Sequence, residues 1–142
     1  MRKVIVDEKE IEVPGVESWD DVASDVLKNR KGGDILAITG PLGAGKTTFV
    51  QALAAELGIK KTPQSPTFSL MRSYAIPRHE TLKRLVHVDA YRTLNENELL
   101  ALDLDEELLE PGTLLVIEWP DKIPHWIARH VDRVISVTIL SP

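Results

Sequence analysis

Hydrophobic and polar positions change their spacing several times along the chain, and each change predicts an element. Val4 and Val6, then Ile11 and Val13, alternate on either side of Asp7, Glu8, Lys9 and Glu10, the pattern of a short hairpin or a pair of edge strands. From Ser18 the period lengthens. Ser18 and Asp21 form a helix-start pair, Val22, Ala23, Val26 and Leu27 recur at helical spacing behind it, and Gly32 with Gly33 is expected to end the helix. Asp34 to Thr39 is a short apolar strand. A Gly-rich loop follows, then a helix from about Lys46 to Leu57 stopped by Gly58.

The segment from Lys60 to Thr67 carries Pro63 and Pro66 and reads as loop. Beyond it the pattern predicts strands near Phe68 to Tyr74 and Lys83 to Val88, and acidic helical segments over Asn95 to Leu102 and Asp105 to Glu110. A strand from Thr113 to Glu118 and an alternating last strand from Val134 to Leu140 complete the series. Buried strands interspersed with helices predict an α/β fold. Its central sheet is expected to be mostly parallel, flanked by helices, with antiparallel strands at the edges.

Length and composition narrow the class. With 142 residues and no composition break, repeat or low-complexity tract, residues 1–142 are expected to form a single domain. An apolar fraction of 43% and a charged fraction of 27% fit a globular chain. The net charge of -5 argues against a protein that grips DNA or RNA through its own electrostatic footprint. The absence of cysteine removes disulfides, iron–sulfur clusters and thiol nucleophiles together, and fits a cytoplasmic location. Apolar runs such as Ile35 to Ile38 and Leu114 to Ile117 are far short of the ~20 residues that cross a membrane, so no membrane partner is expected.

The candidate chemistry begins in the Gly-rich loop. Gly40, Pro41, Leu42, Gly43, Ala44, Gly45, Lys46 and Thr47 match GxxxxGK[ST] in full, between a predicted strand and a predicted helix. Glycines let the backbone curl until successive N–H groups point inward at phosphate oxygens, and the helix N-terminus adds partial positive charge. Lys46 is then placed for the β- and γ-phosphates and the Thr47 hydroxyl for Mg2+; Thr48 completes the candidate cofactor-binding set. No NKxD-type guanine reader is present, which favours ATP over GTP. Such sites need a carboxylate at a neighbouring strand end. Two strands supply one: Leu85 to Val88 runs into Asp89, and Leu114 to Ile117 runs into Glu118.

Together with Ser65-Pro66-Thr67-Phe68, His87-Val88-Asp89-Ala90-Tyr91-Arg92 and Ile117-Glu118-Trp119-Pro120, the phosphate loop resembles the TsaE (YjeE) family. These are P-loop ATPases of bacterial tRNA threonylcarbamoyladenosine biosynthesis. The resemblance implies that Thr47 and Glu118 hold Mg2+, that Asp89 serves the hydrolytic site, and that Thr67 lies in a loop sensing the γ-phosphate. It also implies that Trp119 belongs to the functional surface, and that the protein works with TsaB and TsaD and meets tRNA indirectly through that complex. One position departs from the family's usual GDLGAGKT: Pro41 stands where an acidic residue is usual. The last strand is also expected to be short for the family and to leave an abbreviated C-terminal edge.

Attack of water on the γ-phosphate is the expected reaction, with Lys46 taking up charge and Asp89 positioning the water. Arg92 and Arg72 are the candidates for an arginine acting on the same phosphate, neither securely placed, so slow turnover in isolation and completion by a partner are expected. Rival readings are a small P-loop kinase and a non-catalytic module that uses nucleotide as a docking signal. The histidines His79, His87, His125 and His130 lack metal-site spacing, and His87 is read as a packed or hydrogen-bonded core residue. The basic stretches Lys28 to Lys31 and Lys60-Lys61 read as solvated helix ends.

Overall fold

The computed structural model describes residues 2–7, 9–13, 18–41, 45–60, 71–90, 96–97 and 102–140. Strands β1 (Arg2–Val6) and β2 (Lys9–Val13) form the expected antiparallel hairpin, with Val4 opposite Ile11. Helix α1 (Ser18–Leu27) buries Trp19, Val22, Ala23 and Val26 on one stripe. It ends before the predicted glycines. Asn29 takes the left-handed conformation (φ 64°) that the short Asn side chain tolerates, and the Arg30 N–H returns to the Leu27 carbonyl.

Strand β3 (Ile35–Thr39) leads through the Gly-rich loop to α2 (Lys46–Glu56), and Gly58 (φ 77°) closes that helix as expected. Strands β4 (Met71–Ala75), β5 (Arg84–Asp89) and β6 (Thr113–Glu118) match three predicted runs to within a few residues. The loop expected at Lys60 to Thr67 and the start of the strand at Phe68 lie largely outside the described residues. The second acidic segment forms the short helix α3 (Leu104–Leu109), whereas most of Asn95 to Leu102 lies outside the described residues. Helix α4 (Pro124–Arg129) has no counterpart in the sequence pattern. Strand β7 (Val134–Leu140) closes the described chain.

The seven strands form one sheet in the order β2-β1-β7-β3-β6-β5-β4. Its middle, β7-β3-β6-β5, is parallel throughout, and the antiparallel pairs are β1–β2, β1–β7 and β4–β5. The expectation of an abbreviated C-terminal edge is corrected by the placement of β7. At seven residues β7 is longer than the other strands, and it lies inside the sheet between β1 and β3. Its Ile135, Val137 and Ile139 enter the core while Ser136 and Leu140 face outward, so the period-2 alternation marks a strand with one covered face.

Each face of the sheet has its own core. On one side, Leu36 and Ile38 of β3, Leu85 of β5 and Leu114 and Val116 of β6 pack with α1 and α2, and Trp19 meets Phe49 at 5.8 Å between ring centroids. On the other, Ile35, Val86, Val88, Leu115 and Ile117 pack with Leu104 of α3, with Ile123 just before α4 and with Trp126 of α4. Strand parity then decides the placement of chemistry. His87 and Asp89 follow Leu85 at even spacing, and Glu118 follows Val116, so all three belong to the α2 face.

Candidate active site

The loop after β3 becomes a helix through Gly45, which adopts φ 108° immediately before Lys46. A side chain at that φ is strained, so glycine suits the turn. The Gly45 carbonyl accepts the Phe49 N–H at 2.9 Å, which starts the helical ladder. Lys46 then turns back over the loop. Its Nζ donates to the Gly40 carbonyl at 2.7 Å and to the Pro41 carbonyl at 2.8 Å, and it lies 4.2 Å from the centroid of the Trp119 ring. Only carbonyl groups of residues 40 and 41 enter these contacts. The exposed Pro41 side chain therefore costs this arrangement nothing.

Lys46 is only 5% exposed. Burial pushes its ammonium below the ordinary lysine value, and the negative charges of Glu118, Asp89 and Asp121 pull it back up. A buried cation ringed by carboxylates beside a curled loop is an environment that gains from an arriving polyanion.

The carboxylates come from the carboxyl edge of the sheet. Glu118 ends β6 next to β3, in register with Ile38, and Asp89 ends β5 in register with Glu118. The chain stays tied beyond those strand ends. The Trp119 N–H donates to the Ile38 carbonyl at 3.2 Å and the Ala90 N–H to the Glu118 carbonyl at 3.0 Å. Trp119 itself sits in the left-handed region (φ 63°), where the chain leaves the strand for a 3-10 turn over Pro120–Lys122.

Glu118 is 3% exposed, and its two oxygens have different neighbours. Thr47 Oγ1 donates to Oε1 at 3.5 Å, the outer limit of a hydrogen bond, while His87 Nε2 donates to Oε2 at 2.6 Å. His87 is fully buried and is a hydrogen-bonded core residue, as its spacing suggested. The other histidines have local partners. His79 Nδ1 accepts from the Thr81 and Leu82 N–H groups, His125 pairs with Glu96, and His130 with Asp105.

The structure thus brings together Gly40, Pro41, Gly45, Lys46, Thr47, Thr48, Asp89, Glu118 and Trp119 of the sequence-derived set. Leu42, Gly43, Ala44, Thr67 and Arg92 lie outside the described residues. Arg72 stands opposite His87 in the β4–β5 register and shares its face of the sheet. Two groups escaped sequence reasoning: Asp121, which acts on Lys46, and the His87–Glu118 pair. The pair was findable, because the parity of two strands ending in acids already puts them on one face.

For a divalent cation the donor set is a hydroxyl and two neighbouring carboxylates, all hard oxygen ligands. Among the described residues no three His, Asp or Glu side chains form a closed metal cage. That combination fits Mg2+, which takes one or two carboxylates plus phosphate oxygens and waters rather than an all-protein site. Among the described residues no helix is long and apolar enough to cross a membrane.

Comparison with known proteins bears on the same residues. The family described as "Threonylcarbamoyl adenosine biosynthesis protein TsaE" matches residues 13–141. Proteins called tRNA threonylcarbamoyladenosine biosynthesis protein TsaE are similar in several bacteria. That of Mycobacterium tuberculosis is 35% identical over 127 residues, covering 84% of this chain and 74% of the relative. That of Aquifex aeolicus is 36% identical over 136 residues, covering 93% and 88%. That of Bacillus subtilis is 39% identical over 105 residues, covering 74% and 62%. Among solved structures, the crystal structure of Bacillus subtilis YdiB superposes with a TM-score of 0.60 at 30% identity, over 88% of this chain and 70% of that one. With the phosphate loop, the paired strand-end acids and the match over residues 13–141 in agreement, the chain belongs to the TsaE family of threonylcarbamoyl adenosine biosynthesis proteins.

Proposed function

We propose that the protein binds Mg-ATP at the Gly40–Thr48 loop and hydrolyses it slowly, in support of threonylcarbamoyl modification of tRNA adenosine next to the anticodon. In this reading it acts in the cytoplasm with TsaB and TsaD and meets tRNA indirectly through them. The observation that carries the reading is Lys46: a buried ammonium parked on the Gly40 and Pro41 carbonyls, with Thr47 and Glu118 facing each other beside it.

Phosphate oxygens offer Lys46 stronger, charge-assisted hydrogen bonds than the two carbonyls it holds. Thr47 and Glu118 are the residues to hold Mg2+, which when bound draws charge from the phosphates. In this reading Asp89, whose register beside Glu118 supports the role, orients the attacking water. Without a positioned arginine such reactions run on the order of 10³–10⁵ more slowly, which is the reason to expect a partner to complete the site.

The test is Lys46→Ala. Loss of this charged contact is expected to cost about 2–5 kcal/mol of ATP affinity, roughly thirty-fold or more, while the fold is retained. Calorimetry gives the affinity. Phosphate release, measured with and without purified TsaB, TsaD and tRNA, gives the turnover. Unchanged ATP affinity in Lys46→Ala would overturn the nucleotide assignment, and full turnover by the isolated chain would overturn the dependence on partners.

A further inference from the structure

His87 is an expensive residue for its place. It lies in the middle of β5, fully buried, on the same strand face as Leu85 and flanked by β4 and β6. A leucine or phenylalanine would fill such a position without polar cost. Among the described residues the imidazole makes one hydrogen bond, from Nε2 to Glu118 Oε2 at 2.6 Å, and its buried Nδ1 has no partner there. A carboxylate only accepts, so the ring donates to it through Nε2–H. The chain therefore tolerates one orphaned nitrogen to keep one contact.

That contact decides how Glu118 stands. The terminal torsion of a glutamate is soft and broadly distributed, so an unheld carboxylate turns readily. Among the carboxylates that act on the buried Lys46 ammonium, Glu118 acts most strongly. With Oε2 held by His87, Oε1 is left on the side of Thr47. We propose that His87 is a positioning residue: it holds the Glu118 carboxylate away from collapse onto Lys46 and keeps Oε1 presented beside the Thr47 hydroxyl. The role rests on the Mg-nucleotide reading above. Residues that orient a metal-binding group from behind typically change metal affinity by about 10–100-fold when they are removed.

The geometry supplies a discriminating set of substitutions. A glutamine amide nitrogen reaches the position of Nε2, whereas an asparagine nitrogen reaches only that of Nδ1, which has no partner to lose. Binding of a non-hydrolysable ATP analogue is measured by calorimetry across a Mg2+ titration and again without metal. His87→Leu and His87→Asn are expected to raise the Mg2+ requirement by about ten-fold or more, with metal-free nucleotide affinity changed by less than about two-fold. His87→Gln is expected to return most of the loss. Thermal unfolding checks the fold of each variant, and if the leucine variant fails to fold the Gln–Asn pair still decides. Equal behaviour of Gln and Asn, whether both intact or both impaired, overturns the positioning role and leaves His87 as packing. The ring 15N shifts of His87 in the nucleotide-free protein give a second readout. An Nε2–H tautomer is expected, and an Nδ1–H tautomer overturns the proposal even if wild-type protein binds no Mg-nucleotide. That last result alone would sink the nucleotide reading and not the contact.

Discussion

Two neighbouring strands end in an acid at the same level of the sheet, and they end differently. Asp89 of β5 is half-buried and is followed by Ala90, which is fully buried. Glu118 of β6 is almost fully buried, is gripped by His87 and faced by Thr47, and is followed by Trp119 in a left-handed conformation over Lys46. In register they are equivalents. In environment they are not, and the difference follows from sheet order. The strand β6 lies directly beside β3, which feeds the phosphate loop, and β5 lies one strand farther out. The inner acid is built into the loop's surroundings by fixed partners. The outer one keeps more access to solvent.

The largest effect expected from this contrast is that of Glu118→Gln. The amide retains the size of the side chain and an oxygen for His87, so the fold should persist. The Mg2+ requirement for nucleotide binding should rise by about a hundred-fold or more, at or beyond the top of the range for an outer partner. Asp89→Asn should do the reverse. Turnover should fall by roughly 10²–10⁴, as for loss of a positioned proton acceptor, with the Mg2+ requirement unchanged. Magnesium titrations of binding beside steady-state phosphate release separate the two. If Asp89→Asn raises the metal requirement and Glu118→Gln does not, the assignment of inner and outer acids is inverted.

A smaller effect comes from the residue that follows the inner acid. Trp119 carries a backbone conformation that costs a non-glycine residue about 1 kcal/mol, and its ring lies over the Lys46 ammonium. Trp119→Leu keeps the backbone cost and removes the ring's attraction for the cation, so unfolding free energy should fall by about 1 kcal/mol. Chemical denaturation measures it. No change in midpoint would mean that the cation gains nothing from the ring, and that the inner strand end owes its distinctness to His87 and Thr47 alone.

The legible and illegible parts of this architecture divide along physical lines. Strands β3, β5, β6 and β7 and helix α2 were readable because local periodicity and a full phosphate-loop motif mark them. Helix α4 was not. Pro120 and Pro124 look like breakers, yet Pro124 stands at the first helical position, where its missing N–H is no loss and its fixed φ helps. The place of β7 was illegible for another reason. Nothing local states that an N-terminal hairpin will pair along its outer side and turn a presumed edge into an interior strand. Both acids of the site were legible as strand ends. Their inequality depends on strand order, which no local pattern encodes.

The smallest effect probes what ties the two strand ends together. Glu96, in the chain that follows β5, accepts the Trp126 N–H at 2.8 Å through Oε1 and pairs with His125 Nδ1 at 2.8 Å through Oε2. It thereby satisfies an unpaired N–H in the first turn of α4, the helix that follows β6. The hydrogen bond from His125 and that from the Trp126 backbone hold its carboxyl below the ordinary glutamate value. A lowered carboxyl pKa contributes stability above the unfolded value, near 4.5, and the contribution disappears as pH falls through the folded value. Wild-type protein should therefore be more stable than Glu96→Gln near neutral pH, and the gap should narrow below about pH 4. Thermal unfolding of both proteins across that range measures it, and because the His125 partner is exposed to solvent the gap should be slight. Parallel stability curves at every pH would show that the clasp between the outer and inner strand ends works through geometry and not through charge.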